Sequence, residues 1–331
     1  VNDAKIRAAV IGYGGAFNMG KHHADWMIAA GMDFVAACDS DPNRTAAAER
    51  EFPGIRTYND YRELLADPKV DLVVIILPHN LHNEVSIEAS RAGKHVVVEK
   101  PMCLSVKEAD EMIAAATEAG KMLTIFHNRR WDADYMQIRE IIDQGLIGDI
   151  VHLELHNGGF SHPGDWWRSN KQISGGILFD WGVHMVDWTV NIIGSEVKGV
   201  FGNLYKGVWP GVTNEDHGQM LLKFANGAVA DIQISQLSSV PKTKWRILGT
   251  KGGITADWGT ALTVKVDHEG HLASFDIPLR KDHWQGYYDN IAGALMRGEK
   301  LVVTAEEARR NIAIIEAAEK SAASGAIESP A

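Results

Sequence analysis

Six consecutive apolar residues, Leu72-Val73-Val74-Ile75-Ile76-Leu77, constrain this chain more than any other feature. The run is short, rich in β-branched side chains and not interrupted by polar ones, which is the pattern of a strand buried on both faces. Its neighbours along the chain repeat the theme. Ile6–Ile11 is a short β-type run that ends at a glycine cluster, His22–Ala30 reads as a helix stopped by Gly31, and Phe34–Cys38 reads as a second strand. Asp41-Pro42 opens a helix with an N-cap aspartate and a proline in the first turn. After the central run come a helix from about His82 to Ala92, then Gly93, then the strand His95–Val98. Ser105-x-x-Glu108 has capping-box spacing ahead of a helix from Ala109 to Ala119. Alternating β and α elements of these lengths predict a parallel, doubly wound sheet.

After about residue 127 the rhythm changes. Val151, Leu153 and Leu155 alternate with His152, Glu154 and His156, so one face of that strand should be dry. Met220–Ala225 and Ala228–Ile234 flank Asn226-Gly227, the signature of a hairpin with a two-residue turn. Short β-runs continue at Trp245–Leu248, Leu262–Val266 and Leu272–Ile277, and Thr304-x-x-Glu307 opens a closing helix to about Ala323. The expectation is a first domain over residues 1–127 and a mostly antiparallel second domain over 128–331. The length of 331 residues agrees, at roughly 150 residues per domain.

Composition narrows the function classes. Apolar residues at 45 % and charged residues at 23 % exclude a disordered or collagen-like chain. The longest apolar run, Leu72–Pro78, falls far short of the ~20 residues of a membrane span. The opening Val-Asn-Asp-Ala-Lys has no basic-then-apolar signal pattern, so a cytoplasmic location and no membrane partner are expected. Asp and Glu (43) exceed Lys and Arg (33), with no basic block, which argues against a nucleic-acid partner. Cys38 and Cys103 cannot build a disulfide framework or a four-cysteine zinc site and read as buried bystanders. Of the candidate pairs His79/His82 and His152/His156, the second lies on a strand without a matching carboxylate cluster, and no metal site is expected.

The first strand runs into Gly12-Tyr13-Gly14-Gly15-Ala16-Phe17-Asn18-Met19-Gly20. A dinucleotide site needs glycines here for a tight turn, for close approach of the backbone to the pyrophosphate and for helix–strand packing. Against the standard G-x-G-x-x-G spacing, the third glycine is displaced by three, from Phe17 to Gly20. Gly12, Gly14, Gly15, Asn18 and Met19 are the loop candidates for cofactor contact. Asp39, at the end of the second strand, falls where a carboxylate would accept the adenosine ribose hydroxyls. Such a carboxylate repels a 2′-phosphate and so favours NAD, although Arg44 is placed to compensate, leaving NADP open.

Gly93-Lys94-His95-Val96-Val97-Val98-Glu99-Lys100-Pro101 resembles the signature of the Gfo/Idh/MocA oxidoreductase family, which includes glucose–fructose oxidoreductase and inositol dehydrogenase. Further marks follow in order: Gly20-x-x-His23, Pro78-x-Asn80-x-His82, Arg129-Arg130, Gly145-x-Ile147-Gly148, Trp167-Arg168, and Gly175-Gly176-x-x-x-Asp180-x-Gly182-x-His184-x-x-Asp187. Phe126–Asp132 is similar to the segment that begins the second domain in the inositol dehydrogenase branch. The resemblance implies an N-terminal Rossmann domain and a C-terminal α/β domain with a large open sheet, the nicotinamide and substrate meeting between them. It also implies a homodimer or homotetramer formed through the C-terminal sheet. Leu77, Pro78, Asn80, His82, Glu99, Lys100 and Arg168 join the cofactor-binding candidates on the same ground.

Hydride transfer from a secondary alcohol leaves a hydroxyl proton, and a histidine is the natural group to take it. Asp180, His184 and Asp187 are spaced i, i+4, i+7, on one face of a helix. The expected catalytic set is His184 as general acid/base, Lys100 as the cation at the developing alkoxide, and Asp180 as a hydroxyl ligand or orienter of the base. Proline after Lys100 holds that residue extended, at the strand end where ligands bind in such sheets. Asn128, Asn157 and Asp187 complete the substrate-binding candidates, and Trp131, Trp166 and Trp167 are candidates to stack on a sugar ring. The expected activity is NAD(P)-dependent oxidation or reduction of a sugar, cyclitol or sugar derivative. A rival is a glycoside lyase or hydrolase that recycles bound NAD. A rival of another class is a non-catalytic nucleotide- or sugar-sensing regulator, which would have no use for an alkoxide-stabilising cation together with a base.

Overall fold

The computed structural model describes residues 5–15 and 17–331. The signal-segment reading at Val1–Ala4 and the Ala16 position of the glycine loop lie outside the described residues. The chain forms two units by contact: one runs to His127 and takes in Trp284–Arg309, the other comprises Asn128–His283 and Arg310–Ala331.

In the first unit six strands form one parallel sheet: β1 (Arg7–Ile11), β2 (Asp33–Cys38), β3 (Arg56–Tyr58), β4 (Leu72–Ile75), β5 (His95–Val98) and β6 (Leu123–Ile125). Their order is β3-β2-β1-β4-β5-β6, so the winding reverses between β1 and β4 and leaves a crevice at their carboxyl ends. Every residue of β4 is 0 % exposed, as its unbroken apolar run requires. The crossovers are α1 (Met19–Ala29), α2 (Pro42–Glu51), α3 (Tyr61–Ala66), α4 (His82–Arg91) and α5 (Val106–Glu118). Asp41 caps α2 by accepting the Asn43 N–H at 2.9 Å. Ser105 Oγ accepts the Glu108 N–H at 3.2 Å, while the Glu108 carboxylate reaches back to the N–H of Leu104, one residue before the cap.

Helix α1 starts three residues earlier than its apolar pattern indicates, and the cause is Gly20. A Cβ there would stand 2.4 Å from the carbonyl oxygen of Tyr13, so Gly20 lets the first turn of α1 lie against the loop leaving β1. It takes the close-packing role of the third glycine at its displaced position.

The second unit has α6 (Ala133–Asp143), α7 (Lys171–Ser174), α8 (Val183–Ile193) and eight strands. These are β7 (Ile150–Gly158), β8 (Val197–Tyr205), β9 (His217–Phe224), β10 (Val229–Ser235), β11 (Trp245–Gly249), β12 (Gly252–Ala256), β13 (Leu262–His268) and β14 (His271–Ile277). They form one sheet in the order β14-β13-β12-β11-β7-β10-β9-β8, antiparallel except for the β7–β10 pair. Leu153 and Leu155 of β7 are dry as expected, but Val151 is half exposed at the strand's start and His156 is buried near its end, where its imidazole meets the Ser238 hydroxyl. The β9–β10 hairpin closes through three residues rather than two. Phe224 accepts the Gly227 N–H at 3.1 Å and donates to Ala228 at 2.9 Å, and Gly227 at φ +90° takes the left-handed position that lets the strands rejoin.

Residues 284–309, which the sequence reading assigned to the second domain, pack in the first unit. Their α9 (Gln285–Arg297) buries Tyr287, Tyr288 and Ile291, and the Tyr287 ring meets Phe126 edge-on at 4.9 Å. Thr124 Oγ1 donates to the Val303 carbonyl at 2.8 Å. The closing helix α10 (Ala305–Ser324) carries the expected reciprocal cap between Thr304 and Glu307. No helix among the described residues is long and apolar enough to cross a membrane.

Alanine is the better helix former by about 1 kcal/mol, yet Gly20→Ala is expected to destabilise the protein by about 1–3 kcal/mol through overpacking. The check is a lowered midpoint in thermal unfolding; an unchanged or raised midpoint would show that the close packing at Gly20 is dispensable.

Candidate active site

The carboxyl ends of β1, β2, β4 and β5 gather the candidates of the first unit. Gly12 adopts φ +89°, and a Cβ there would come within 2.1 Å of the Ile76 carbonyl oxygen. Its N–H donates to Cys38 at 2.8 Å, which pins the glycine loop across the top of β2. Gly14, at φ +55°, donates its N–H to Asp39 Oδ2 at 2.7 Å, while Asp39 Oδ1 accepts from Asp41 N at 2.9 Å. Gly15 lies under the Arg44 guanidinium, which a Cβ would meet at 2.3 Å. Asn18 is exposed and left-handed at φ 54°, and Met19 begins α1. A bare loop ahead of a helix N-terminus, with a carboxylate and a guanidinium beside it, fits the pyrophosphate and adenosine ribose of a dinucleotide.

Leu77 and Pro78 follow β4, and Asn80 is exposed in the short turn His79–Leu81. His82 departs from its expected role as a cofactor contact. It is 0 % exposed, with Nε2 at 2.9 Å from the Leu77 carbonyl and Nδ1 at 2.7 Å from the Pro101 carbonyl. Its ring clamps the turn after β4 to the turn after β5, with both nitrogens facing backbone. Glu99 and Lys100 follow β5, and Glu99 Oε2 accepts the Lys100 N–H at 3.0 Å. Burial pushes the Glu99 carboxyl up, but its hydrogen bond to His23 and the charge of Lys100 outweigh burial and hold it below the usual range.

In the second unit a pocket of about 250 Å³ is lined by Asn157, Ser161, Asp180, Trp181, Ser235 and Gln236, among others. Asp180 does not sit in a regular α-helix with His184. It lies in a π-helical turn, Leu178–Gly182, that runs into α8 and breaks the i, i+4, i+7 phase. The result is three different environments. Asp180 is partly exposed in the pocket wall, its Oδ1 at 2.7 Å from Arg168 Nη1. His184 is 4 % exposed between Trp181 and Trp188, at ring separations of 5.9 and 6.4 Å. Asp187 is 1 % exposed and held by Arg130 Nη2 at 2.6 Å, Arg130 Nε at 2.8 Å and Asn311 Nδ2 at 3.0 Å.

Asp187, expected as a hydroxyl ligand, is therefore an internal anchor: a bidentate guanidinium occupies its two oxygens. Arg168, a cofactor candidate, grips Asp180 and lies over Trp166 and Trp167 at 5.5 and 5.0 Å. Asn157 lines the pocket, and Asn128 is buried at the start of the turn Asn128–Trp131. The sequence reading missed Trp181, Ser161 and Gln236. Trp181 had a signal, lying between Asp180 and Gly182 in the matched string, with the Arg129 guanidinium 4.4 Å over its ring. Ser161 and Gln236 lie in unpatterned loops and had none.

The loop after β8 is held by one carboxylate. Asp216, 1 % exposed, accepts Lys206 Nζ at 2.6 Å and the N–H groups of Gly207 at 2.8 Å and Val208 at 2.7 Å. Burial opposes its charge, but Lys206 and these N–H donors outweigh it and lower its pKa from 3.8 to about 2. The loop carries Trp209, whose Nε1 donates to the pocket residue Gln236 through its carbonyl at 3.1 Å.

Residues 6–127 match the family model described as "Oxidoreductase family, NAD-binding Rossmann fold", and residues 135–255 match the "GFO/IDH/MocA C-terminal domain". The chain is 29 % identical over 305 residues to scyllo-inositol 2-dehydrogenase (NADP(+)) IolW of Bacillus subtilis, covering 84 % of each chain. It is 28 % identical over 327 residues to myo-inositol 2-dehydrogenase of Thermotoga maritima, covering 96 % of each. The crystal structure of an NAD-binding protein from Listeria innocua superposes with a TM-score of 0.88 at 30 % identity, covering 98 % of this chain and 97 % of that one.

A carboxylate with a depressed folded pKa stabilises fully above its unfolded value and loses that contribution as pH falls through the folded one. The Asp216 contribution should thus disappear between about pH 4 and pH 2. Asp216→Asn is expected to be less stable at neutral pH and to flatten the acid limb of unfolding in that window, followed by tryptophan fluorescence. An acid limb identical to the parent's would mean that the charge does not hold the loop.

Proposed function

This chain belongs to the Gfo/Idh/MocA family of NAD-binding oxidoreductases, and we propose that it moves a hydride between a secondary hydroxyl of a cyclitol or sugar and a nicotinamide cofactor. The carrying observation is the chemistry of the 250 Å³ pocket: Asn157, Ser161, Asp180 and Gln236 offer hydrogen bonds to several hydroxyls, and Trp181 offers a face to ring C–H groups. The inositol dehydrogenases among the relatives support the same substrate class.

When bound, the nicotinamide accepts or returns the hydride; the protein manages the proton and the charge. His184 takes the hydroxyl proton as the carbonyl forms and gives it back in reduction. The Lys100 ammonium stabilises negative charge developing on that oxygen. Asp180 accepts a substrate hydroxyl, with Arg168 fixing its carboxylate. Asp39 at the ribose end disfavours a 2′-phosphate, and Arg44 over Gly15 is the group that would hold one. A cytoplasmic reaction is the expectation that goes with a freely exchanging nicotinamide.

A second copy of this chain is expected on the outer face of the second sheet. Phe201 and Leu221 are paired there and are 39 % and 37 % exposed, continuing in register through Asp231 and Glu154 to Arg246. Such a row combines apolar area with charges of both signs, as a self-complementary interface needs. Sedimentation should show a dimer or tetramer that Phe201→Lys with Leu221→Lys converts to monomer; a monomeric parent would end this part of the proposal.

The activity test is absorbance of reduced nicotinamide with NAD, then NADP, against inositols, aldoses and glycosides. A steady rise is expected with cyclitols or sugars, falling by about a hundredfold or more in Lys100→Met and His184→Ala. Arg44→Ala is expected to lower kcat/KM for NADP about tenfold more than for NAD. Turnover of a glycoside with no net rise would replace this reading with a lyase that recycles its cofactor.

A further inference from the structure

Glu99 follows β5 with its carboxylate turned back into the first unit. One oxygen accepts the Lys100 N–H, and the other, Oε1, lies 3.2 Å from His23 Nε2 on α1. His23 Nδ1 lies 2.5 Å from the hydroxyl of Tyr288 on α9. His23 and Tyr288 are both 0 % exposed, and the rings of Phe126 and Trp26 wall the imidazole at 4.4 and 5.6 Å.

The chemistry of the partners gives this chain one direction. A carboxylate only accepts, so the ring proton facing Glu99 sits on Nε2. With that proton on Nε2, a neutral imidazole turns its Nδ1 lone pair to the Tyr288 hydroxyl, and burial pushes this phenol well above its usual range, so it has a proton to donate. Phenol donates to imidazole, imidazole donates to one carboxylate oxygen, and the Lys100 N–H donates to the other. Without the phenol, the Nδ1 lone pair would be buried with no donor and the ring would be held from one side only.

We propose that Tyr288 and His23 are positioning residues for Lys100: the phenol holds the imidazole in the orientation that grips Glu99, and Glu99 fixes the direction in which Lys100 leaves the end of β5. The proposal rests on the reading of Lys100 as the cation at the reacting oxygen. Glu99 and Lys100 are consecutive, so a carboxylate that turns over releases the lysine's own peptide. A cation displaced by even about 0.5 Å serves a developing charge poorly while still permitting binding. The chain thus returns at α9 to complete a site whose other parts it laid down in its first hundred residues.

The variants are Tyr288→Phe, which removes one oxygen and keeps the ring, and His23→Gln, whose side-chain amide can still donate to Glu99. Tyr288→Phe is expected to lower kcat about tenfold while KM and cofactor affinity change less than about twofold. His23→Gln is expected to keep kcat within about threefold of the parent, and His23→Leu to lose more than either. In parallel, ¹⁵N-histidine spectra without substrate should show His23 as the Nε2–H tautomer with a hydrogen-bonded Nδ1, and in Tyr288→Phe the Nδ1 resonance should move to that of a lone pair without a donor; the signal is assigned by its absence in His23→Gln. Parental kcat in both Tyr288→Phe and His23→Leu, or an Nδ1–H tautomer in the parent, overturns the proposal. If the parent turns over nothing in the substrate panel, the functional reading fails instead, and the spectra still decide the hydrogen-bond chain.

Discussion

A strand buried on both faces can carry chemistry only past its end, and the first unit is organised by that restriction. The side chains of β4 are all sealed, as are those of β5 after His95, so no polar group on them meets solvent from within the sheet. The candidate cofactor and catalytic residues accordingly follow the strands: Gly12 after β1, Asp39 after β2, Leu77 and Pro78 after β4, Glu99 and Lys100 after β5. Because the strands are parallel, those ends share one edge. The hydrogen bonds from Gly12 to Cys38 and from Gly14 to Asp39, and the His82 clamp between Leu77 and Pro101, tie the separate ends into one rim.

The second unit solves the opposite problem. Its sheet covers one face and leaves the other to solvent, so polar residues can be displayed along strands and in the loops at their ends. Here the constraint is the charge each display leaves behind. Asp187 is satisfied inwardly by Arg130 and Asn311, Asp216 by Lys206 and a row of N–H groups, and Asp180 by Arg168 at the pocket wall. Three aspartates of similar sequence surroundings thus hold a helix, a loop and a prospective ligand contact.

This division marks what the sequence discloses. The β4 run, the Asp41 cap and the Thr304–Glu307 box were readable because their causes are local: periodicity, a short polar side chain, a fixed reciprocal spacing. Lys100 entered the candidate set through a long contiguous motif. Asp187 was misjudged because the arginine that claims it stands 57 residues earlier, and a π-helical turn that no spacing rule anticipates separates it in phase from Asp180. His82 was misjudged because a buried and a ligand-facing histidine look alike in a motif. The return of α9 to the first unit had no local sign, since the burial of Tyr287 and Tyr288 depends on partners far away in the chain.

The displaced third glycine shows how such a loop can vary. Three additional residues separate it from the usual position, with Phe17 exposed and Asn18 left-handed, yet Gly20 still presses against Tyr13. The invariant is a distance in space, and the count of residues between the glycines is free to change around it. The segment between Gly14 and Gly20 therefore behaves as a tether whose length is independent of its anchorage. A site of this kind will elude any pattern written as a fixed interval, and will be found by asking which position along the following helix tolerates no side chain.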